Sequence, residues 1–316
     1  MAGWMKVVLT ETCVPQVKPL RMSLSLWCEE GSANCRGPPL RAPWDSSISR
    51  ERVMEQLLQA ERRYLPSACY VSLVQRHPHQ REELLRWTLE VCCECACDEP
   101  VFPLAASLLD RFLSISLALK GAPLCLAAAC VLIASKLLES ETVSAQSLCT
   151  AASGSFLPST LQDMERLILA TLRWDVAAIT PQDFIPHLLP APGHAAGGPE
   201  DTGEFQTTLR RHGDTLVAMC VCDSRFLGKP PSLVAAAALS SALRGLGCRG
   251  PELEQMMGML AALCQMQLSE LQYHTELIED ALLERLTEGQ RPKERKEQDM
   301  YEERARTPTD LTEIDF

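Results

Sequence analysis

The sequence predicts an all-α protein, and three observations carry that expectation. Aromatic residues make up only 5% of the chain while hydrophobic residues reach 46%, a balance that favours close-packed helices over sheets built from aromatic and β-branched residues. Apolar residues recur at helical spacing in long segments separated by Pro and Gly. Two segments, Leu124 to Leu138 and Ser232 to Leu246, are apolar around nearly their whole circumference and follow a proline. A helix of that kind is wrapped by other helices or lies in a membrane, and both runs are shorter than the ~20 residues a bilayer needs. Each therefore reads as the central helix of a bundle.

From Met1 to about Ser47 the chain mixes Pro, Gly, Ser and Cys without period and reads as an extended tail, with Met22 as an alternative start. Order is expected from Ile48, with Ser49 capping a helix over Arg50 to Tyr64 on which Val53, Leu57, Leu58 and Glu61 fall at helical spacing. Helical patterns follow at Gln80–Cys95, Val101–Ile115, Leu124–Leu138 and Thr160–Leu172, with a shorter one at Ala145–Ala152. After Trp174-Asp175 the pattern restarts. Thr180-Pro181 can open a helix over Gln182–Leu189, a loose loop spans Pro190 to Gly203, and helices are expected at Gln206–Cys222, Ser232–Leu246, Pro251–Cys264 and Ser269–Leu286. The result is two successive five-helix units, 48–177 and 178–288, between a tail at 1–47 and a polar, charged, disordered tail at 289–316.

Charge and composition limit the function. A net charge of −11 argues against a general nucleic-acid binder, which needs clustered Lys and Arg against phosphate. Of the 15 cysteines, most sit inside apolar helical patterns, including Cys92, Cys125, Cys130, Cys149, Cys220 and Cys264, where a thiol acts as a small hydrophobe. That usage suits a reducing compartment, and neither a secretory segment nor a long apolar span occurs, so the expected location is the cytosol or the nucleus, without a membrane. The run Cys92-Cys93-Glu94-Cys95-Ala96-Cys97 lacks the separated C-x₂-C pairs that structural zinc generally uses, so no metal is expected there. No Gly-rich phosphate loop, G-x-S-x-G or H-E-x-x-H is present, and the six histidines have no apparent nucleophile partner. No cofactor is expected. One charge stands out: Lys136 ends the first all-apolar helix, and an unpaired buried ammonium would be very costly, so it must reach the bundle surface.

Four segments, W-T-L-E-V-C (Trp87–Cys92), V-F-P-L-A-A-S-L-L-D-R-F-L-S (Val101–Ser114), A-S-K-L (Ala134–Leu137) and L-R-W-D-V-A-A-I-T-P-Q-D-F (Leu172–Phe184), resemble the cyclin box in combination and order. The resemblance spans about Ile48 to Leu286 and is nearest to the D-type, G1/S cyclins. It implies two tandem cyclin folds and a regulatory subunit, not an enzyme: the first repeat holds the mobile C-helix of a G1-class cyclin-dependent kinase inward, and the kinase phosphorylates retinoblastoma-family proteins. Lys136 and Glu165 match the family's two kinase-contacting charges. Leu26, Cys28 and Glu30 form an L-x-C-x-E motif resembling the peptide that grips the retinoblastoma pocket, and alternation along a strand puts the three on one face.

The resemblance implies two further elements. Thr307, in Thr307-Pro308, matches the phosphorylation switch for nuclear export and for destruction through a ubiquitin ligase. Arg81, Leu84, Trp87 and Glu90 match the shallow groove that docks R-x-L peptides of substrates and kinase-inhibitor proteins. Gln80 and Glu83 stand where that groove usually carries an apolar pair, and a carboxylate in a leucine site weakens docking. An alternative from another class is a tandem-box transcription scaffold without kinase activation, which would need a zinc ribbon and a basic surface.

Overall fold

The computed structural model describes residues 50–116, 122–189 and 199–290. Twelve α-helices and no strand occur among them. Helix α1 (Arg50–Glu61) runs into a short 3₁₀ turn at Arg62–Tyr64. The first box comprises α3 (Pro78–Glu94), α4 (Val101–Ile115), α5 (Pro123–Leu138), α6 (Ala145–Ala151) and α7 (Pro158–Thr171), preceded by the short α2 (Ala68–Arg76). The second comprises α8 (Pro181–Leu188), α9 (Pro199–Cys222), α10 (Pro231–Gly245), α11 (Pro251–Leu263) and α12 (Leu268–Gln290). The architecture is two tandem five-helix bundles with helices α1 and α2 before them.

The two expected core helices are the centres of the two boxes. On α5 every residue from Cys125 to Ser135 is buried, and on α10 every residue from Pro231 to Leu243. Their Ala-rich surfaces allow close approach: a Cβ added to Gly213 of α9 would lie 2.9 Å from Leu239 Cδ2 of α10. Seven helices of these boxes begin at a proline (α3, α5, α7, α8, α9, α10 and α11), where the missing N–H has no partner to lose. Thr180 and Asp183 form a capping box on α8, the Thr180 amide donating to Asp183 Oδ2 at 2.6 Å.

The structure differs from the expectation in three places. Helix α2 was passed over, because Ala68–Arg76 is short and lies between Pro66 and Pro78; Ser67 caps it, accepting from the Tyr70 amide. Helix α9 begins at Pro199, inside the segment expected to be loop. Glu61, expected only to continue a helical stripe, is buried: its two oxygens accept from the Ser232 amide and hydroxyl, each at 2.9 Å. It thereby satisfies an otherwise orphaned amide at the start of α10, and burial, more than offsetting these bonds, pushes its carboxyl above the usual range. Met54, Leu57 and Leu58 of α1 also pack into the second core, and Arg50 donates to the carbonyls of His187 and Leu189 at the end of α8. Helix α1 thus braces the second box.

The expected cap at Ser49 lies outside the described residues. So do the L-x-C-x-E residues Leu26, Cys28 and Glu30 and the tail residue Thr307.

Candidate functional site

The candidate site is built where α5 leaves the core. Burial runs unbroken to Ser135, whose hydroxyl accepts from the Val143 amide at 2.8 Å, and the helix surfaces in its last turn with Lys136, Leu137 and Leu138 exposed. Neighbouring α7 presents Glu165, and Lys136 Nζ meets Glu165 Oε1 at 2.5 Å. The lysine side chain is 46% exposed and the carboxylate 14%, so the acid is sunk between helices and the ammonium reaches over it. An ion pair this open contributes at most about 1 kcal/mol to the fold. It uses one of three ammonium donors and one carboxylate oxygen, leaving the remaining capacity for another surface.

Helices α5 and α7 also expose Leu137, Leu138 and Leu167. Large apolar side chains beside a placed charge pair mark an interaction surface better than a solvated face. The sequence carries a signal for two of these leucines, since Leu137 and Leu138 follow Lys136 in the last turn of α5, but none for Leu167 on α7.

The residues expected to form a peptide groove lie on α3. Leu84 and Trp87 are half-buried, and Gln80, Glu83 and Glu90 are exposed on that helix. Arg81, by contrast, is only 7% exposed. Its Nε and Nη2 donate to Asp110 Oδ1 and Oδ2 at 2.8 Å each, and Nη2 also donates to the Val221 carbonyl at 3.1 Å. Tyr70 donates its hydroxyl to Asp110 Oδ1 at 2.9 Å. Burial opposes the Arg81 charge, but the Asp110 carboxylate outweighs it and holds the guanidinium pKa above its ordinary value. Arg81 therefore ties α3 and α4 of the first box to α9 of the second. The sequence signal was Asp110, a lone acid in an apolar helix, which needs a buried cation.

The cysteine-rich end of α3 holds free thiols, Cys92 buried and Cys93 exposed. Among the described residues no group of three or more His, Cys, Asp or Glu side chains is arranged to hold a metal ion, and no helix is long and apolar enough to cross a membrane.

Two family models match in tandem: the cyclin N-terminal domain at residues 52–177 and the cyclin C-terminal domain at 179–308. With two five-helix boxes and a charge pair at the end of the first core helix, the class is that of a cyclin. The similarity to individual relatives narrows it. G1/S-specific cyclin-D3 of Bos taurus is 36% identical over 300 residues, covering 92% of this chain and 99% of the relative. G1/S-specific cyclin-D1 of Homo sapiens is 39% identical over 213 residues, covering 67% and 70%. A viral cyclin from herpesvirus saimiri shares the fold, with a TM-score of 0.57 at 21% identity, covering 74% of this chain and 97% of that structure. The chain belongs to the D-type cyclins. It is a cell-cycle regulatory subunit of a cyclin-dependent kinase and not itself an enzyme.

Proposed function

We propose that this cyclin activates a G1-class cyclin-dependent kinase through Lys136 and Glu165 and directs it to retinoblastoma-family proteins, promoting the G1/S transition. The observation that carries the reading is the pair itself, a half-exposed ammonium over a sunken carboxylate beside exposed leucines. Such a surface recognises a kinase segment with both donors and acceptors. Docking there selects the inward position of the kinase C-helix, in which the catalytic Lys–Glu pair can form. The names of the relatives, G1/S-specific cyclins, support the stage of action.

The remaining parts of the proposal rest on sequence. Leu26, Cys28 and Glu30 recruit the pocket protein as an added extended strand. Phosphate on Thr307 creates a docking epitope for a ubiquitin ligase and accompanies shuttling between nucleus and cytoplasm. Affinity purification of the tagged full chain tests both partners in one experiment. The wild type is expected to retain a G1-class kinase and a pocket protein, and Cys28→Ala to lose only the second. Recovery of transcription machinery without a kinase would favour a scaffold instead.

Inhibitor and substrate docking on α3 belongs to the same proposal, in weakened form. Exposed Gln80 and Glu83 flank Leu84 and Trp87, so the surface offers an R-x-L leucine a polar rim. Trp87→Ala is expected to change R-x-L peptide affinity by less than tenfold, about 1.4 kcal/mol, measured by isothermal titration. A much larger loss would mean that the groove is functional despite its two polar residues.

A further inference from the structure

Two cavities adjoin on the second box, and Lys136, Glu165, Leu84 and Trp87 line neither. The first, about 430 Å³, lies where the α2–α3 turn, the segment between α9 and α10 and the first half of α12 meet. The second, about 600 Å³, lies between the end of α1, the start of α10 and the turn from α11 into α12. Both volumes fall in the range of ligand sites, about 300–1,000 Å³. Tyr273 lines both cavities and is 60% exposed.

The chemistry of the first cavity suits an anion. Its wall holds Arg225 and Lys229 and, among the described residues, no carboxylate. Arg225 is fixed from behind: Nε and Nη2 donate to Asp223, and Nη1 and Nη2 to Glu284. Those two acids largely neutralise it. Glu82 is also engaged, accepting from the Ser224 amide and hydroxyl at 3.0 and 2.6 Å. Lys229, by contrast, has no acidic partner among the described residues. His274, a third residue of this wall, is only 4% exposed. Its Nδ1 lies 2.9 Å from the Glu270 carbonyl and must donate to it, so the neutral ring keeps a lone pair on Nε2, which has no partner among the described residues. An uncompensated ammonium and an orphaned acceptor in one wall call for a ligand that brings negative charge together with a proton. A phosphate monoester supplies both near neutral pH, because its second pKa is about 6. A carboxylate or a sulfate has no proton to offer there.

We infer that this face of the second box binds an extended peptide bearing phosphoserine or phosphothreonine. The phosphate enters the first cavity, where Lys229 provides the charge and His274 Nε2 receives the phosphate hydroxyl. The chain then crosses the exposed Tyr273 ring, and a neighbouring side chain fills the second cavity. That second space is what favours a peptide over a small phosphate ester, which the first cavity alone would hold. Leu233 and Met266 give it an apolar floor, and Gln265, Gln267 and Ser269 offer amide and hydroxyl groups to a peptide backbone. Joined to a kinase, such a site would hold a substrate already phosphorylated once and raise the effective concentration of its other sites. This consequence rests on the proposed kinase pairing; the peptide binding does not.

The test is retention of the tagged full chain on beads carrying a short degenerate peptide library centred on phosphoserine or phosphothreonine, beside the same library unphosphorylated. The wild type is expected on the phosphorylated beads alone, and to elute with phenyl phosphate but not with phenyl sulfate. Lys229→Ala is expected to weaken retention by about tenfold or more, Lys229→Arg to keep it, and Tyr273→Ala to reduce it. Melting curves followed by circular dichroism should match the wild type in all three, so a folding defect is separated from lost binding whether or not a kinase is bound. Equal retention on both kinds of bead, or undiminished retention of Lys229→Ala, overturns the inference. So does binding of phenyl phosphate as tight as that of any library peptide, measured by isothermal titration, which would leave a site for small phosphate esters instead.

Discussion

Reversal of Lys136 to glutamate is expected to abolish co-purification of the kinase while leaving the melting temperature of the cyclin within a degree or two. The two halves have separate causes. Within the fold, the pair with Glu165 is 46% exposed on the lysine side, so its loss costs the cyclin about 1 kcal/mol or less. In the proposed complex the same groups become buried against the kinase, and truncating one partner of a buried, hydrogen-bonded charge pair typically costs about 2–5 kcal/mol, or some 30- to 5,000-fold in Kd. Reversal adds repulsion from Glu165, which remains in place beneath it. Lys136→Ala should therefore weaken binding and Lys136→Glu should remove it, with circular dichroism unchanged in both. Normal kinase activation by Lys136→Glu would sink the proposed interface. A matched fall in melting temperature would instead assign the pair a structural role.

The second large effect is on stability. Arg81→Ala is expected to lower the unfolding free energy by about 3–5 kcal/mol, the usual cost of breaking a buried ion pair by removing one partner. The cause is specific: the Asp110 carboxyl would be left in the interior without its cation, bonded to the Tyr70 hydroxyl, and the Val221 carbonyl would lose its donor. Arg81→Lys should not rescue fully, because an ammonium cannot make both parallel bonds to Asp110 and still reach Val221. Urea titration monitored by tryptophan fluorescence reads the loss directly. A change below about 1 kcal/mol would show that the network is incidental. Since the network joins α3 and α4 to α9, the variant should also loosen the two boxes relative to each other, seen as faster hydrogen exchange at 220–222.

Much of the fold was legible because its strongest signal is local. A helix apolar on every face has few environments open to it, and Leu124–Leu138 and Ser232–Leu246 announced two bundle centres before any contact was known. Prolines at first helical positions marked the boundaries for the same reason, since each acts on its own few residues. Helix α2 was not legible: nine residues provide about two and a half turns of periodicity, and what holds them is Tyr70 reaching Asp110, forty positions away.

The candidate site divides in the same way. Lys136 could be assigned to the surface from one energetic argument, the cost of a buried unpaired ammonium. Its partner Glu165 came from a resemblance, and the exposure of Leu167 on α7 emerged only from the packing. Arg81 shows the limit most clearly. Its neighbours Leu84 and Trp87 are half-buried on α3, and spacing alone groups Arg81 with them; the guanidinium instead lies in the interior, bonded to Asp110.

By itself, then, the sequence determined the helical class, the two core helices, the box order and the single charge that had to surface, because each follows from periodicity, backbone chemistry or desolvation within a short segment. Only the tertiary structure decided which distant groups meet. It set Glu61 of the first helix on the amide of Ser232 in the second box, Arg81 on Asp110, and Lys136 on Glu165. Such pairings depend on the relative placement of whole helices, which is fixed by the summed packing of many small apolar contacts and leaves no mark at any one position.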